Sequence, residues 1–179
     1  MNGTRGTSIP PPVILWTIQT EAAVLRLQRT GVLRADGRRI CKEHRPAYRW
    51  IFGQMRERIG PPPSGVRYPI WAWRIWTPRS PKSDLRSRAH LAVGTKGARI
   101  EFEAAEDRIL ESDFDGWHAV LNHPFAAGER DDGGSWVSIF DLGGGKSDYR
   151  ADPSERSVQA TLWSVELGQV RGIVWFTAR

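Results

Sequence analysis

His118 and His123 lie close to Asp113 and Asp115, and imidazole with carboxylate is the donor set that holds a divalent transition metal. Two histidines share a helix face at a spacing of four, and here they are five apart. The aspartates sit where a helix begins and where carboxylates answer the positive end of its dipole, so no metal site is expected. Gly143-Gly144-Gly145-Lys146-Ser147 has the glycines, lysine and hydroxyl that cradle phosphate in nucleotide-binding loops. In that motif a glycine stands five positions before the one preceding lysine, where this chain has Phe140. No strand leads in, and Pro153 blocks a long helix behind. Arg99, Glu101 and Glu103 alternate along one extended segment and read as a solvated row of ion pairs, not as an acid–base pair. No catalytic residue is assigned.

A second kind of chemistry is stacking beside positive charge. Tyr68-Pro69-Ile70-Trp71-Ala72-Trp73-Arg74-Ile75-Trp76 places Trp71 and Trp73 on one face of an extended strand. Thr77 to Lys96 follows, with Arg79, Lys82, Arg86, Arg88 and Lys96 against the single acid Asp84. Aromatic platforms beside positive loops hold single strands of nucleic acid. The chain as a whole has 26 basic and 20 acidic residues, a net charge of +6, which favours polyanions. Trp71, Trp73, Arg86 and Arg88 are therefore candidate contacts to nucleic acid or a nucleotide in an aromatic and basic groove. The competing reading is a structural or protein-interaction domain, with the same tryptophans buried in a core and the same charge scattered.

These residues need a scaffold. Residues 1–12 are rich in Gly, Thr, Ser and Pro and read as a flexible tail, leaving 13–179 as a single domain. Val13 to Gln19 is apolar and β-branched, and Thr20 is placed to cap a helix from Glu21 to Thr30 that Gly31 stops. Pro46 suits a first helical turn, and Tyr48, Ile51, Phe52, Met55 and Ile59 recur at helical steps up to Gly60. Arg49, Arg56 and Arg58 on that helix read as its solvated side. Gly97–Glu103, Arg108–Leu110, Val158–Val165 and Gly172–Thr177 read as strands. Ser112 is placed to cap a further helix whose buried stripe is Phe114, Trp117 and Leu121, residues 124–134 form a loop, and Trp136 to Leu142 holds a short helix. Gly143 to Arg156 reads as a second loop.

The pattern predicts an α+β fold: a mixed sheet of about six strands with two principal helices. Its expected core comprises Ile14, Trp16, Leu25, Ile51, Phe52, Met55, Ile70, Trp71, Ile100, Phe102, Trp117, Leu121, Leu162, Val174 and Phe176. One cysteine, Cys41, excludes an internal disulfide and fits a reducing, cytoplasmic setting. No apolar run approaches the roughly 20 residues of a membrane-spanning helix, and no signal-peptide core precedes Val13. No membrane association is expected, and the sequence leaves the oligomeric state open.

Leu15-Trp16-Thr17-Ile18-Gln19, Tyr48-Arg49-Trp50, Tyr68 to Trp73, Gly94-Thr95-Lys96-Gly97, Ser112 to Asn122 and Val158 to Trp163 resemble a bacterial family catalogued as domain of unknown function 3841. That resemblance carries no activity with it. The order of first strand, helix, glycine and a polar motif on a late strand also resembles ADP-ribosyltransferases. This second resemblance implies NAD as cofactor, bound between the first strand and the strand of Gln159, with Thr17, Gln19, Tyr68 and Gln159 as contacts. Gln159-Ala160-Thr161 stands where that family carries Gln-x-Glu, so the carboxylate that steadies an oxocarbenium-like charge is absent.

Overall fold

The computed structural model describes residues 11–122, 134–143 and 151–179. His123, most of the 124–134 loop, Gly144 to Ser147 and residues 1–10 of the expected tail lie outside them. In chain order the principal elements are β1 (Val13–Thr20), α1 (Glu21–Thr30), β2 (Val32–Leu33), α2 (Arg45–Arg58), β3 (Ile70–Ile75) and β4 (Lys96–Ala104). They continue with β5 (Leu110–Asp113), α3 (Phe114–Asn122), α4 (Gly134–Val137), β6 (Val158–Leu162), β7 (Val165–Glu166) and β8 (Val170–Thr177).

The protein is a single α+β domain built on a six-stranded sheet in the order β5-β6-β3-β1-β4-β8, with β2 and β7 forming a small second sheet. The expected mixed sheet is antiparallel at every pairing. Parallel neighbours need a crossover that returns the chain to the same end, and here each strand enters beside the end at which its neighbour leaves. Opposed residues share a face. Trp16 stands opposite Trp73 and Glu101, and Trp73 opposite Gln159, so one face of the sheet is fixed across four strands. The register slips between Trp73 and Ile75, a bulge that breaks the simple alternation expected through Trp76.

Each face has its own apolar cluster. On one, Leu15, Ile70, Ile100, Phe102 and Leu162 pack under Val24 and Leu27 of α1. On the other, Leu110 packs with Ile51 and Met55 of α2, Trp117 and Val120 of α3, and Trp136, with Trp71 against them. Leu25 and Val174, expected in the core, are exposed at 54% and 47%. Leu25 lies more than a third of a turn from the line of Val24 and Leu27, the two buried residues of α1. Val174 lies on β8, an edge strand paired only with β4, where its face has no covering layer.

Helix ends also depart from expectation. Thr20 makes no side-chain cap to α1, although Gly31 closes the helix at φ 76°, donating its N–H to the Leu27 carbonyl. Ser112 is held in β5 opposite Gln159, so the cap of α3 falls one residue later: Asp113 Oδ1 accepts from the Gly116 N–H at 2.6 Å. The other Asp113 oxygen meets Arg156 Nε at 3.2 Å, with both side chains 2% exposed. Arg156 donates onward to the carbonyls of Ala151 at 3.0 Å and Leu142 at 2.6 Å. One guanidinium thus joins the start of α3 to two loop segments.

Removing that guanidinium leaves a buried carboxylate uncompensated. Arg156→Leu should lower unfolding free energy by about 3–5 kcal/mol, read from urea unfolding midpoints. Arg156→Lys should recover little of it, because an ammonium cannot span the same carbonyls in a fixed fork.

Candidate nucleic-acid interface

The tryptophans proposed as platforms are committed to the protein's own rings. Trp71 stacks on Trp117 with centroids 4.7 Å apart and planes 30° apart. Trp73, 8% exposed, meets Trp76 at 4.5 Å and Phe114 at 5.0 Å. The Trp71 indole N–H is buried without a partner of ordinary hydrogen-bond geometry. It nevertheless lies near enough to the Tyr48 hydroxyl to pull that phenol's pKa down, against the larger effect of burial, which raises it.

The basic loop after β3 folds back over the β1–β4 half of the sheet. It leaves a cavity of about 710 Å³ with Trp76, Lys82, Ser83, Arg86 and Arg99 in its wall. Its charge is largely answered from within. Lys82 pairs with Glu101 at 3.0 Å, and Arg86 pairs with Asp84 at 2.8 Å. Arg99 donates to the Ser83 carbonyl at 2.7 Å. Glu101 also accepts from the Trp16 indole at 2.8 Å, and Lys82 lies 5.7 Å from that ring's centre. Glu103 pairs with Arg171, so the wet row of β4 is a row of ion pairs. Arg88 is exposed and outside this cavity wall.

The ADP-ribosyltransferase contacts are not assembled at one place. Thr17 is fully buried, donating to the Trp71 carbonyl at 2.8 Å and accepting from Gln19 at 2.8 Å. Register puts Thr17 and Gln19 on the face opposite to Gln159, with β3 between their strands. Tyr68, of that set, lines a groove.

That groove is one the sequence reading missed. Arg45, Arg49, Phe52 and Arg56 recur at intervals of four, three and four along α2, which places them on one helical face. Arg67 and Tyr68, from the connector that enters β3, close the other side around a volume of about 520 Å³. No acidic residue lines it. Among the described residues, Arg45, Arg49, Arg56 and Arg67 have no ion-pair or side-chain hydrogen-bond partner. A Cβ placed on Gly53, on the same face, would meet nothing within 4 Å, so the floor is open. Tyr48 and Tyr68 meet edge to face at 6.4 Å and form a wall. Behind it lies a second cavity of about 210 Å³, reached by Asp36, Ile40, Cys41 and His44. Tyr68 is fixed from the far side by Gly37, where a Cβ would fall 1.9 Å from the ring. The signal is present in the sequence as arginines at helical spacing, but taken singly Arg49 and Arg56 read as the solvated side of the helix and Arg45 as the end of the basic turn before it.

The fold and groove together define an antiparallel α+β domain with a patch of free arginines beside half-buried aromatic rings. A model of the family described as Domain of unknown function (DUF3841) matches residues 14–135, more than half of the chain, and the protein belongs to that family. The match takes in β1 through α3 and both walls of the α2 groove, and it stops short of β6. No curated protein and no solved structure matches the chain. Among the described residues no helix is long and apolar enough to cross a membrane, and no cluster of His, Cys, Asp and Glu is suited to a metal ion.

The Glu101 contacts make a pH prediction. The Trp16 indole, then Lys82, hold its carboxyl below the usual glutamate range. A depressed folded pKa adds stability that is present above the unfolded value of about 4.3 and lost as pH falls through the folded one. Thermal melts between pH 3 and 6 should therefore fall less steeply on the acid side for Glu101→Gln than for the parent.

Proposed function

We propose that this protein binds single-stranded nucleic acid, or a nucleotide derived from it, in the groove along α2. The observation that carries this reading is the set of four unpaired arginines around Tyr48, Phe52 and Tyr68. Guanidiniums take phosphate bidentately, and unstacked bases lie well on aromatic rings. Along the helix Arg49 stands about 6 Å beyond Arg45 and Arg56 about 10 Å beyond Arg49, which gives an extended phosphate backbone repeated contacts. The rings favour a single strand over a duplex, whose bases already stack on one another. The basic loop is the weaker partner, because Lys82 and Arg86 are neutralised by Glu101 and Asp84.

Fluorescence anisotropy with a labelled twelve-nucleotide single strand tests this. Four arginine contacts correspond to a log–log salt slope of about −3 for a single strand, and the double variant Arg49→Glu, Arg56→Glu should reduce its magnitude by at least about 1.4. Both side chains are exposed, so the variant's melting temperature should stay near the parent's. Absence of binding at low salt, or an unchanged slope in the variant, overturns the proposal. Loss of binding on neutralising Arg86 and Arg88 instead would move the site to the loop.

A further inference from the structure

We infer that the cavity behind the Tyr48–Tyr68 wall is a base pocket that selects bases bearing an exocyclic amino group over thymine and uracil. This rests on the groove reading, since it is the arginines that bring the phosphate backbone to the wall. The groove and the cavity share Tyr48 and Tyr68, so a strand followed by the arginines passes directly over the mouth of a space of about 210 Å³. Such a space accommodates one heterocycle. Ile40, Pro69 and the two tyrosines supply apolar and aromatic walls, as stacking requires.

The polar edge of the cavity sets the preference. Asp36 Oδ1 accepts from both the backbone N–H and the Nε of Arg38, at 3.1 and 3.0 Å, while Oδ2 accepts only from Nη2, at 3.0 Å. A carboxylate oxygen takes two hydrogen bonds, which leaves one acceptor position on Oδ2. The hydrogen bonds from Arg38 hold the Asp36 pKa at about 2, so the group is an acceptor only at neutral pH. Adenine, cytosine and guanine can each offer it an amino N–H. Thymine and uracil carry a carbonyl oxygen where cytosine carries its amino group, and their one ring donor, N3–H, lies between two carbonyl oxygens that repel a carboxylate approaching it. His44 is engaged through Nδ1 with Cys41 Sγ at 3.1 Å, which leaves Nε2 for a second contact.

Anisotropy titrations of the full chain with labelled dA, dC and dT twelve-mers, and with an abasic strand of equal length, separate the pocket from the groove. Oligo-dA and oligo-dC should bind about tenfold more tightly than oligo-dT and the abasic strand, the worth of one charge-assisted hydrogen bond. Asp36→Asn keeps an acceptor for Arg38 but turns a donor toward the base, and should erase or reverse that preference while leaving the salt slope unchanged. Ile40→Trp fills the cavity from its edge and should bring oligo-dA down to the oligo-dT level. If the abasic strand or oligo-dT binds as tightly as oligo-dA and oligo-dC, with the same salt slope, the pocket is overturned and the groove stands. If none of the four strands binds, both fall.

Discussion

Two indoles on one face of an interior strand must be covered. Trp71 and Trp73 project from β3, which lies between β6 and β1, and left bare they would expose the largest apolar side chains of the sheet to water. The chain meets this with Trp117 of α3 on Trp71 and Phe114 on Trp73. Tyr48 of α2 completes the cover, edge-on to Trp117 at 5.7 Å. Helix α2 is therefore fixed in rotation about its own axis. Once Ala47, Ile51 and Met55 point inward, Arg45, Arg49 and Arg56 have only the outward side available, and the connector that delivers β3 lies alongside them with Arg67 and Tyr68. The basic groove is the reverse side of the packing that hides the tryptophans.

The same logic separates the two concentrations of positive charge. Loop residues 77–95 fold against a strand that carries its own carboxylates, and the sheet register places Glu101 opposite Trp16, within reach of Lys82. Helix α2 has no such strand under its outer face. The number of basic residues in a segment is thus a poor guide to free charge: the loop (Arg79, Lys82, Arg86, Arg88) and helix α2 (Arg45, Arg49, Arg56, Arg58) carry four each. Yet Lys82 and Arg86 are answered by nearby acids, whereas the arginines of the helix make no ion pair among the described residues. The two sites differ in the acids their scaffolds bring near.

Local features were legible in the sequence. Helix α1 begins and ends where Glu21, Thr30 and Gly31 indicate, and the alternation from Gly97 to Glu103 is β4 with one residue more at each end. Features decided by distant partners were not. Whether Leu25 or Val24 faces inward depends on how α1 is rotated on the sheet, and Val174 is exposed because β8 lies at the edge, which strand order alone decides. Ser112 and Asp113 are both able to cap a helix; pairing with β6 keeps Ser112 in the sheet and leaves Asp113 to do it. The arginines of α2 were visible singly, but Arg67 joins them only through the fold, and the role of Tyr68 as a shared wall depends on the packing of Gly37 against its ring.

The position of β1 has a consequence for how the chain reaches this state. It is the first strand in sequence, yet it sits inside the sheet, and its two neighbours, β3 and β4, are made only after α1, α2 and two long connectors. During synthesis from the N-terminus, Val13 to Ile18 has no strand to pair with until β3 has left the ribosome. The pairing with Glu101 then closes across a separation of 85 residues. Loop-closure entropy of that kind has to be met before the contacts repay it, so native structure arrives late and together, and the apolar run of β1 stays unpaired until then.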